Sequence, residues 1–311
     1  MQIYDISTRI KELIQIAKHC LPADKFSILE RRLLVKSQLT QRTYLEVLAR
    51  LCENSALGDS ETFNNTAKEL IFSYNNINTR RTYYYAVKFI ASILGYELDI
   101  FSEELKFKAE ESMKIGNTFT LNEVERFIDA TLEILKKGEP IEIFSYEIYP
   151  EEFLKLILLT TLYGVRRGEV YIASSKDVSF DEQTIFIRSL KKSVQRKHFI
   201  PTDLVDLFRI AFKTDRKPPD ARYLNDMFIY LHAKAEVKRV KRRNIHSIRK
   251  TVASQLLMQG HNPVFVNDFL RWRGGGTMLS FYANMDPIYI DVEIFKKHPL
   301  LEIWKEKVNK E

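Results

Sequence analysis

The repeat period of the apolar residues changes along this chain, and that change constrains the fold more than any other feature. Up to Gly164 the apolar positions recur every three to four residues, as in Ile10, Leu13, Ile14 and Ala17, which predicts amphipathic helices. After Gly164, short apolar runs separated by polar turns replace this pattern. We therefore expect a mainly α-helical fold with one small antiparallel β-sheet.

The first third of the chain is predicted to be helical. A second helix follows a candidate cap at Thr40, and a third follows Thr79 in the run TRRTYYYAVKFIASIL. One face of that run is apolar and consists of Tyr83, Val87, Ile90 and Leu94. We expect this face to pack in a core rather than to stack on nucleic-acid bases.

A second domain is predicted to begin near Gly116, where the composition changes. Thr120 and Glu123 have the spacing of a capping box, in which each side chain binds the other residue's backbone N–H at a helix start. We therefore divide the chain into a helical domain at 1–115 and a second domain at 116–311.

The second domain is predicted to combine helices with the sheet. Gly138–Pro150 is an acidic and aromatic loop, and Glu152–Tyr163 is a helix that ends at Gly164. The runs VSF, TIFIRS and HFIPT predict three short antiparallel strands joined by polar turns. Helices resume at Asp203 and continue to the end of the sequence.

Charge is distributed unevenly. The net charge of the 311 residues is +7, whereas Arg188–Lys250 alone carries 18 Lys and Arg against 6 Asp and Glu. A polyanionic partner is indicated, which by charge alone is nucleic acid or an anionic membrane. A hydrophobic content of 45% excludes a wholly disordered chain.

Cysteine content and hydropathy indicate the compartment. Cys20 and Cys52 are too few for a disulfide framework and have no metal-ligand spacing around them, which fits a reducing cytoplasm. The longest apolar run, Phe153–Val165, contains Lys155 and is too short to span a bilayer. We expect a cytoplasmic protein without a membrane segment.

Several residues with catalytic potential occur in one order along the chain. They are Arg166 in YGVRRGEV, Lys191 and Lys192 in a strand turn, His246 and Arg249 in HSIRK, and Tyr282 in LSFYANM. Each one alone is usually structural, because a His-x-x-Arg pair is most often solvated and a helical Tyr most often packs. Their order and spacing are more specific.

Together these motifs resemble the tyrosine recombinase (phage-type integrase) family. Its Gly-x-Arg-x-x-Glu box is met by Gly164, Arg166 and Glu169. Its His-x-x-Arg box is met by His246 and Arg249, and a tyrosine follows within the family's usual distance. The resemblance covers about residues 119–284 and implies a recombinase catalytic domain preceded by a helical core-binding domain that closes on DNA.

The resemblance also implies a chemistry that needs neither metal nor ATP. Tyr282 attacks a DNA phosphate and forms a 3′-phosphotyrosyl bond, while Arg166 and Arg249 bind the non-bridging oxygens. Lys192 protonates the leaving 5′ oxygen, and His246 assists as a general acid or base. Lys192 is preferred to Lys191 because of its distance from the strand FIPT.

One position departs from the commoner family pattern. Arg273 stands nine residues before Tyr282, where His or Trp is usual. This arginine is similar to that of integrases of archaeal viruses and plasmids, and implies a third guanidinium at the scissile phosphate.

Double-stranded DNA is the expected partner. The predicted DNA-contacting residues, all basic, are Lys191, Arg196, Lys238, Arg239, Lys241, Arg242 and Arg243. A homo-oligomer on DNA is expected to form through the C-terminal tail IDVEIFKKHPLLEIWKEKV, an amphipathic helix. Two alternatives stay open: a type IB topoisomerase, and a catalytically silent DNA-binding protein with the same fold.

Overall fold

The computed structural model describes residues 6–100, 117–143, 146–189, 194–216, 222–240, 243–272 and 286–309. The chain divides into two compact units, Met1–Met113 and Lys114–Glu311, called here the N-terminal and C-terminal units. The predicted boundary between residues 115 and 116 lies outside the described residues.

Helices build the described part of the N-terminal unit: α1 (Ile6–Cys20), α2 (Ala23–Leu34), α3 (Gln38–Glu53), α4 (Ser60–Phe72) and α5 (Ile77–Leu94). Helix α3 packs against both α1 and α5. Val87 and Ile90 are buried in the core of this unit, and Tyr83 and Leu94 pack against it half-buried. The expectation that this face of α5 forms core is confirmed.

Two helix starts differ from the prediction. Ser37, not Thr40, caps α3, and its hydroxyl accepts a hydrogen bond from the Thr40 backbone N–H at 3.3 Å. Asn76 caps α5, its side chain accepting from the N–H groups of Asn78 and Thr79. In both cases the helix begins before the residue that the sequence indicated. That residue donates its backbone N–H to the cap, because a capping side chain accepts from N–H groups two or three residues onward.

Cys20 and Cys52 form a disulfide between the ends of α1 and α3, with their Cα atoms 6.0 Å apart. The two cysteines lie 32 residues apart, and their number and spacing in the sequence did not predict this pairing. By restricting the unfolded chain, such a bond typically stabilises a protein by about 2–4 kcal/mol.

The described C-terminal unit contains further helices: α6 (Leu121–Lys137), α7 (Pro150–Tyr163), α8 (Arg167–Ile172), α9 (Val205–Ala211), α10 (Tyr223–Lys234), α11 (Ile245–Met258), α12 (Pro263–Phe269), α13 (Pro287–Phe295) and α14 (Pro299–Val308). Helix α7 is central, since every side chain from Glu152 to Tyr163 is buried. The capping box of Thr120 and Glu123 at the start of α6 is confirmed. No helix in the described ranges is long and apolar enough to cross a membrane.

Strands occur in two places. The three predicted strands are confirmed as β3 (Val178–Ser179), β4 (Thr184–Ile187) and β5 (Arg196–Phe199), antiparallel in the order β3-β4-β5. The prediction of a loop at Gly138–Pro150 is wrong, because this segment contains a hairpin of β1 (Ile141–Ile143) and β2 (Tyr146–Ile148). Three-residue strands are too short to show a periodic pattern.

The C-terminal tail also differs from the prediction. It forms two helices, α13 and α14, whose apolar side chains pack into the core of this same unit. Trp304 is fully buried and its indole N–H donates to the Thr161 hydroxyl of α7 at 3.0 Å. The apolar face expected to bind a neighbouring protomer is therefore used within the chain.

Acid should weaken this packing through His298, the fully buried cap of α14. Its Nε2 contacts the Leu162 carbonyl at 3.0 Å and its Nδ1 accepts from the Leu301 N–H, so the ring is neutral. Burial lowers the pKa of His298 to about 4, and the same cause lowers that of His198 to about 4. Below pH about 6.5 the unfolded chain therefore binds protons that the folded chain does not.

We expect the free energy of unfolding to fall between pH 6.5 and 4 by about 1.4 kcal/mol per pH unit for each such histidine. Denaturant unfolding of the whole chain at pH 7, 6 and 5 measures this slope. His298→Asn keeps a capping side chain but does not titrate, so its slope should be shallower. An unchanged slope in this variant would contradict the assignment.

Candidate active site

A tight turn at Gly164 begins the site. Gly164 ends α7 in the left-handed conformation, with φ of +56°. A Cβ atom here would lie 2.7 Å from Leu270 Cδ2 and 3.3 Å from Arg249 Cγ. The turn thus brings the backbone of the first motif against the arginine of the second.

Gly164→Ala is expected to destabilise the C-terminal unit by about 1–3 kcal/mol, because it adds both backbone strain and overpacking. Thermal unfolding measures the loss. Gly138→Ala is the matched control, since Gly138 also has a positive φ but nothing lies within 4 Å of its added Cβ. An equal loss in both variants would mean that the close approach to Arg249 and Leu270 contributes nothing.

Arg166 follows in extended conformation at the start of α8 and is held by Glu169. Its Nη1 donates to Glu169 Oε1 at 2.7 Å, and its backbone N–H donates to Oε2 at 3.0 Å. Burial disfavours ionisation of Glu169, but the Arg166 N–H and the charges of Arg271 and Arg166 lower its pKa overall. A fixed carboxylate therefore orients the guanidinium of Arg166, whose side chain is 25% exposed.

Arg249 lies on the inner face of α11 and is only 1% exposed. Its two terminal nitrogens donate to the carbonyls of Gly164 and Leu270, and its guanidinium carbon lies 5.6 Å from the Trp272 ring centroid. Burial first, and then the charges of Arg271 and Arg166, lower the pKa of Arg249 to about 9. It stays a cation at neutral pH.

His246 lies in the first turn of the same helix and is exposed. Asn244 caps α11 and accepts a hydrogen bond from the His246 backbone N–H at 2.9 Å. The start of α11 thus carries the exposed imidazole and, one turn on, the buried guanidinium of Arg249. Because Arg249 also donates to the Gly164 carbonyl, the structure brings the two predicted boxes together.

Arg271 is a third arginine of this site, and the sequence motifs did not point to it. It is 1% exposed, has φ of +57°, and donates to Glu169 Oε2 at 3.4 Å and to His198 Nε2 at 2.8 Å. Burial lowers its pKa to about 10. The sequence signal was the pair of arginines in RWR, of which only Arg273 was interpreted.

Behind Arg271 a buried polar network continues to α13. Because an arginine only donates, His198 Nε2 accepts from it, so the proton lies on Nδ1 and is donated to Asp291 at 3.0 Å. Asp291 is fully buried and also accepts from Arg196 Nη2 at 2.6 Å and from the Phe199 N–H at 2.8 Å.

The structure corrects two of the predicted DNA contacts. Arg196 has a side chain 3% exposed and paired with Asp291 and Asp268, so it does not belong to a DNA-contacting surface. Arg243 binds Glu123 and lies over the Phe119 ring, with 10% of its side chain exposed. Basic residues within a charged run can face the core when a buried carboxylate lies opposite, and the run itself does not show which do.

The other predicted residues divide into two groups. Lys238 and Arg239 are exposed and precede α11. Outside the described residues lie Lys191, Lys192, Lys241, Arg242, Arg273 and Tyr282. Within the described ranges, His, Cys, Asp and Glu side chains do not assemble in groups of three or more that could hold a metal ion.

Comparison with protein families identifies the chain. The model of the Phage integrase family matches residues 117–287, more than half of the sequence and the range that contains both boxes. The chain belongs to the phage integrase family. This recombinase is accordingly an enzyme of the tyrosine site-specific class, and the family resemblance of its motifs is confirmed. Its likeness to archaeal integrases stays a prediction.

Solved structures share the fold of this recombinase. A lambda integrase dimer bound to a COC′ core site has a TM-score of 0.55 at 14% identity, covering 86% of this chain and 95% of that one. The XerH recombinase bound to difH gives 0.55 at 14%, covering 91% and 95%. The Tn1549 transposon integrase with a circular intermediate DNA gives 0.55 at 15%, covering 90% and 97%. No curated protein matches the sequence.

Proposed function

We propose that this recombinase cuts and rejoins double-stranded DNA at specific sites through a transient 3′-phosphotyrosyl bond to Tyr282, without metal or ATP. The observation that carries the proposal is the hydrogen bond from Arg249 to the Gly164 carbonyl. It joins two motifs that lie far apart in the sequence and brings the Arg249 guanidinium within electrostatic range of Arg166 and Glu169.

The described residues fit a site for the scissile phosphate. Arg166 and Arg249 supply planar guanidinium groups that match the non-bridging oxygens, and the start of α11 adds the positive end of a helix. Glu169 accepts from Arg166 and from Arg271, which fixes the guanidinium of Arg166 before DNA binds. Such preorganised cations stabilise the charge that develops in a pentacoordinate transition state.

Access to the buried Arg249 requires a rearrangement. Arg249 is 1% exposed, so a phosphate reaches its guanidinium only when the residues that bury it move aside. Its bonds to the Gly164 and Leu270 carbonyls keep the guanidinium paired until then. DNA binding and exposure of Arg249 are therefore coupled in this proposal.

The reaction proceeds by exchange of one phosphoester for another. The Tyr282 hydroxyl gives its proton to a general base as its oxygen attacks phosphorus, the bond to the 5′ oxygen breaks, and Lys192 gives that oxygen a proton. His246 assists as a general acid or base, and Arg273 contributes a third cation. Attack by a free 5′ hydroxyl on the phosphotyrosyl bond reverses these steps, so the bond energy is conserved.

Lys238 and Arg239 are the described, exposed candidates for contact with the DNA backbone. Charge reversal of both should reduce the slope of log affinity against log salt concentration by about 0.9 for each phosphate that the protein no longer neutralises. Fluorescence anisotropy with a duplex at several salt concentrations measures this slope. Lys136→Glu with Lys137→Glu in α6 makes the same change in net charge at another exposed position and should leave the slope closer to the parent's. Equal slopes in the two variants would exclude a local contact.

Covalent capture tests the proposal and finds the target sequence in one experiment. The full chain is mixed with nicked duplexes of randomised core sequence, from which the cut fragment diffuses away, and adducts stable to detergent are isolated and sequenced. We expect one enriched sequence bound through a 3′ phosphate. Adducts without sequence preference would favour a topoisomerase, and DNA binding without any adduct would favour a silent DNA-binding protein.

A further inference from the structure

A series of buried hydrogen bonds leads from α13 to Arg166, which the proposed function places at the scissile phosphate. Asp291 accepts from His198 Nδ1 at 3.0 Å, and His198 Nε2 accepts from Arg271 Nη1 at 2.8 Å. Glu169 then accepts from Arg271 Nη2 at 3.4 Å and from Arg166 Nη1 at 2.7 Å. The four residues behind Arg166 are each at most 4% exposed. The position of a partly exposed guanidinium thus depends on groups in the core.

The imidazole of His198 has little freedom to move. It packs against the rings of Tyr163 and Phe269, whose centroids lie 5.1 and 5.3 Å from its own. Asp291, which accepts the Nδ1–H, is itself held by the Phe199 backbone N–H at 2.8 Å. The acceptor Nε2 is therefore fixed from both sides of the ring.

His198 determines where the guanidinium of Arg271 lies. Its bond to Nη1 is 2.8 Å long, whereas Nη1 lies 3.3 and 3.4 Å from the carbonyl oxygens of Phe269 and Tyr163. Because Arg271 is 1% exposed, water does not replace an acceptor that is lost. A guanidinium is planar and rigid, so fixing Nη1 also directs Nη2 toward Glu169.

We propose that His198 and Arg271 are positioning residues for Arg166, holding its guanidinium through Glu169 in the orientation that receives the phosphate. This inference rests on the proposed function. Arg271 also adds charge, because Glu169 alone would neutralise Arg166, whereas the three groups together are positive. Neither His198 nor Arg271 contacts the phosphate in this role.

A substrate without charge at the scissile group tests this role. Cleavage of two versions of the captured DNA is measured in a single turnover at saturating protein, and in one version a methyl group replaces a non-bridging oxygen. In both, the tyrosine hydroxyl loses its proton as its oxygen bonds to phosphorus, the bond to the 5′ oxygen breaks, and that oxygen gains a proton. The neutral methylphosphonate depends less on oriented cations, so a misplaced Arg166 slows its cleavage less.

The ratio of the two rates does not depend on the fraction of protein that is folded, so it separates positioning from lost stability. Arg166→Ala sets the scale, with an expected loss of about 10²–10³-fold on the ordinary phosphate. His198→Leu removes both bonds of the ring with a group of similar size. We expect it to slow cleavage of the ordinary phosphate roughly 10- to 100-fold and that of the methylphosphonate less than about 5-fold, with DNA affinity unchanged.

Two further variants keep the inference testable if His198→Leu folds poorly. His198→Gln supplies an acceptor for Arg271 and a donor for Asp291, so it should recover most of the lost rate. Arg271→Lys keeps a cation, but its ammonium lacks the planar fork that binds Glu169 and His198 together. Its loss should again be larger on the ordinary phosphate than on the methylphosphonate.

His298→Leu is the matched control, because His298 is also fully buried in this unit and hydrogen-bonded at both ring nitrogens. It should lower stability and leave the ratio at the parental value. A parental ratio in both His198→Leu and Arg271→Lys would overturn the inference, and so would a parental ratio in Arg166→Ala. If the parent chain forms no adduct with either DNA, the proposed function itself fails, and this outcome is visible before any variant is compared.

Discussion

Tyr282→Phe is expected to abolish the covalent protein–DNA adduct while leaving DNA affinity nearly unchanged. The substitution removes the hydroxyl that attacks phosphorus and keeps the aromatic ring. Denaturing gels of the captured, end-labelled DNA measure the adduct, and anisotropy measures binding. This is the largest expected effect, since no bond to DNA forms without the nucleophilic oxygen.

The control is Tyr289→Phe, because Tyr289 is a nearby tyrosine, half exposed on α13. This variant should form the adduct at the parental rate. If Tyr282→Phe still formed the adduct and Tyr289→Phe did not, the nucleophile would be Tyr289.

Arg249→Ala is expected to slow cleavage by about 10²–10³-fold or more, the usual effect of losing one donor to a transition-state oxyanion. It also leaves the carbonyls of Gly164 and Leu270 without their guanidinium donor, at about 1–3 kcal/mol for each that stays buried and unpaired. Cleavage must therefore be measured in a single turnover at saturating protein, well below the unfolding temperature of the variant.

Two further variants separate these effects. Arg249→Lys keeps a cation, but its single ammonium replaces a planar fork, so we expect partial stability and little cleavage. Arg209→Ala removes a mostly exposed arginine of α9 and should change neither quantity appreciably. Cleavage by Arg249→Ala at the parental rate would remove Arg249 from the active site.

The sequence predicted best those elements whose ends depend only on residues close together in the chain. The capping box of Thr120 and Glu123 involves residues of one turn, and the end of α7 at Gly164 follows from glycine's tolerance of positive φ. The short hairpin of β1 and β2 was missed because three-residue strands carry no periodic signal. Its pairing depends on contacts that the sequence pattern does not record.

The arginines illustrate a different limit. In the sequence Arg196, Arg243 and Arg239 are alike, basic residues of a positive stretch. In the structure the first two bind carboxylates in or near the core and the third is exposed. Because the partners Asp268, Asp291 and Glu123 are distant in sequence, no local pattern pairs them.

By itself the sequence determined the helical character of the chain, the three-stranded sheet, and the two boxes that carry Arg166 and Arg249. Periodicity and motif spacing are properties of nearby residues, so one chain suffices to show them. Only the tertiary structure decided that Arg271 joins the site and that Arg196 links α12 to α13. It also decided that the tail packs on its own unit, because burial and charge pairing depend on which distant segments meet.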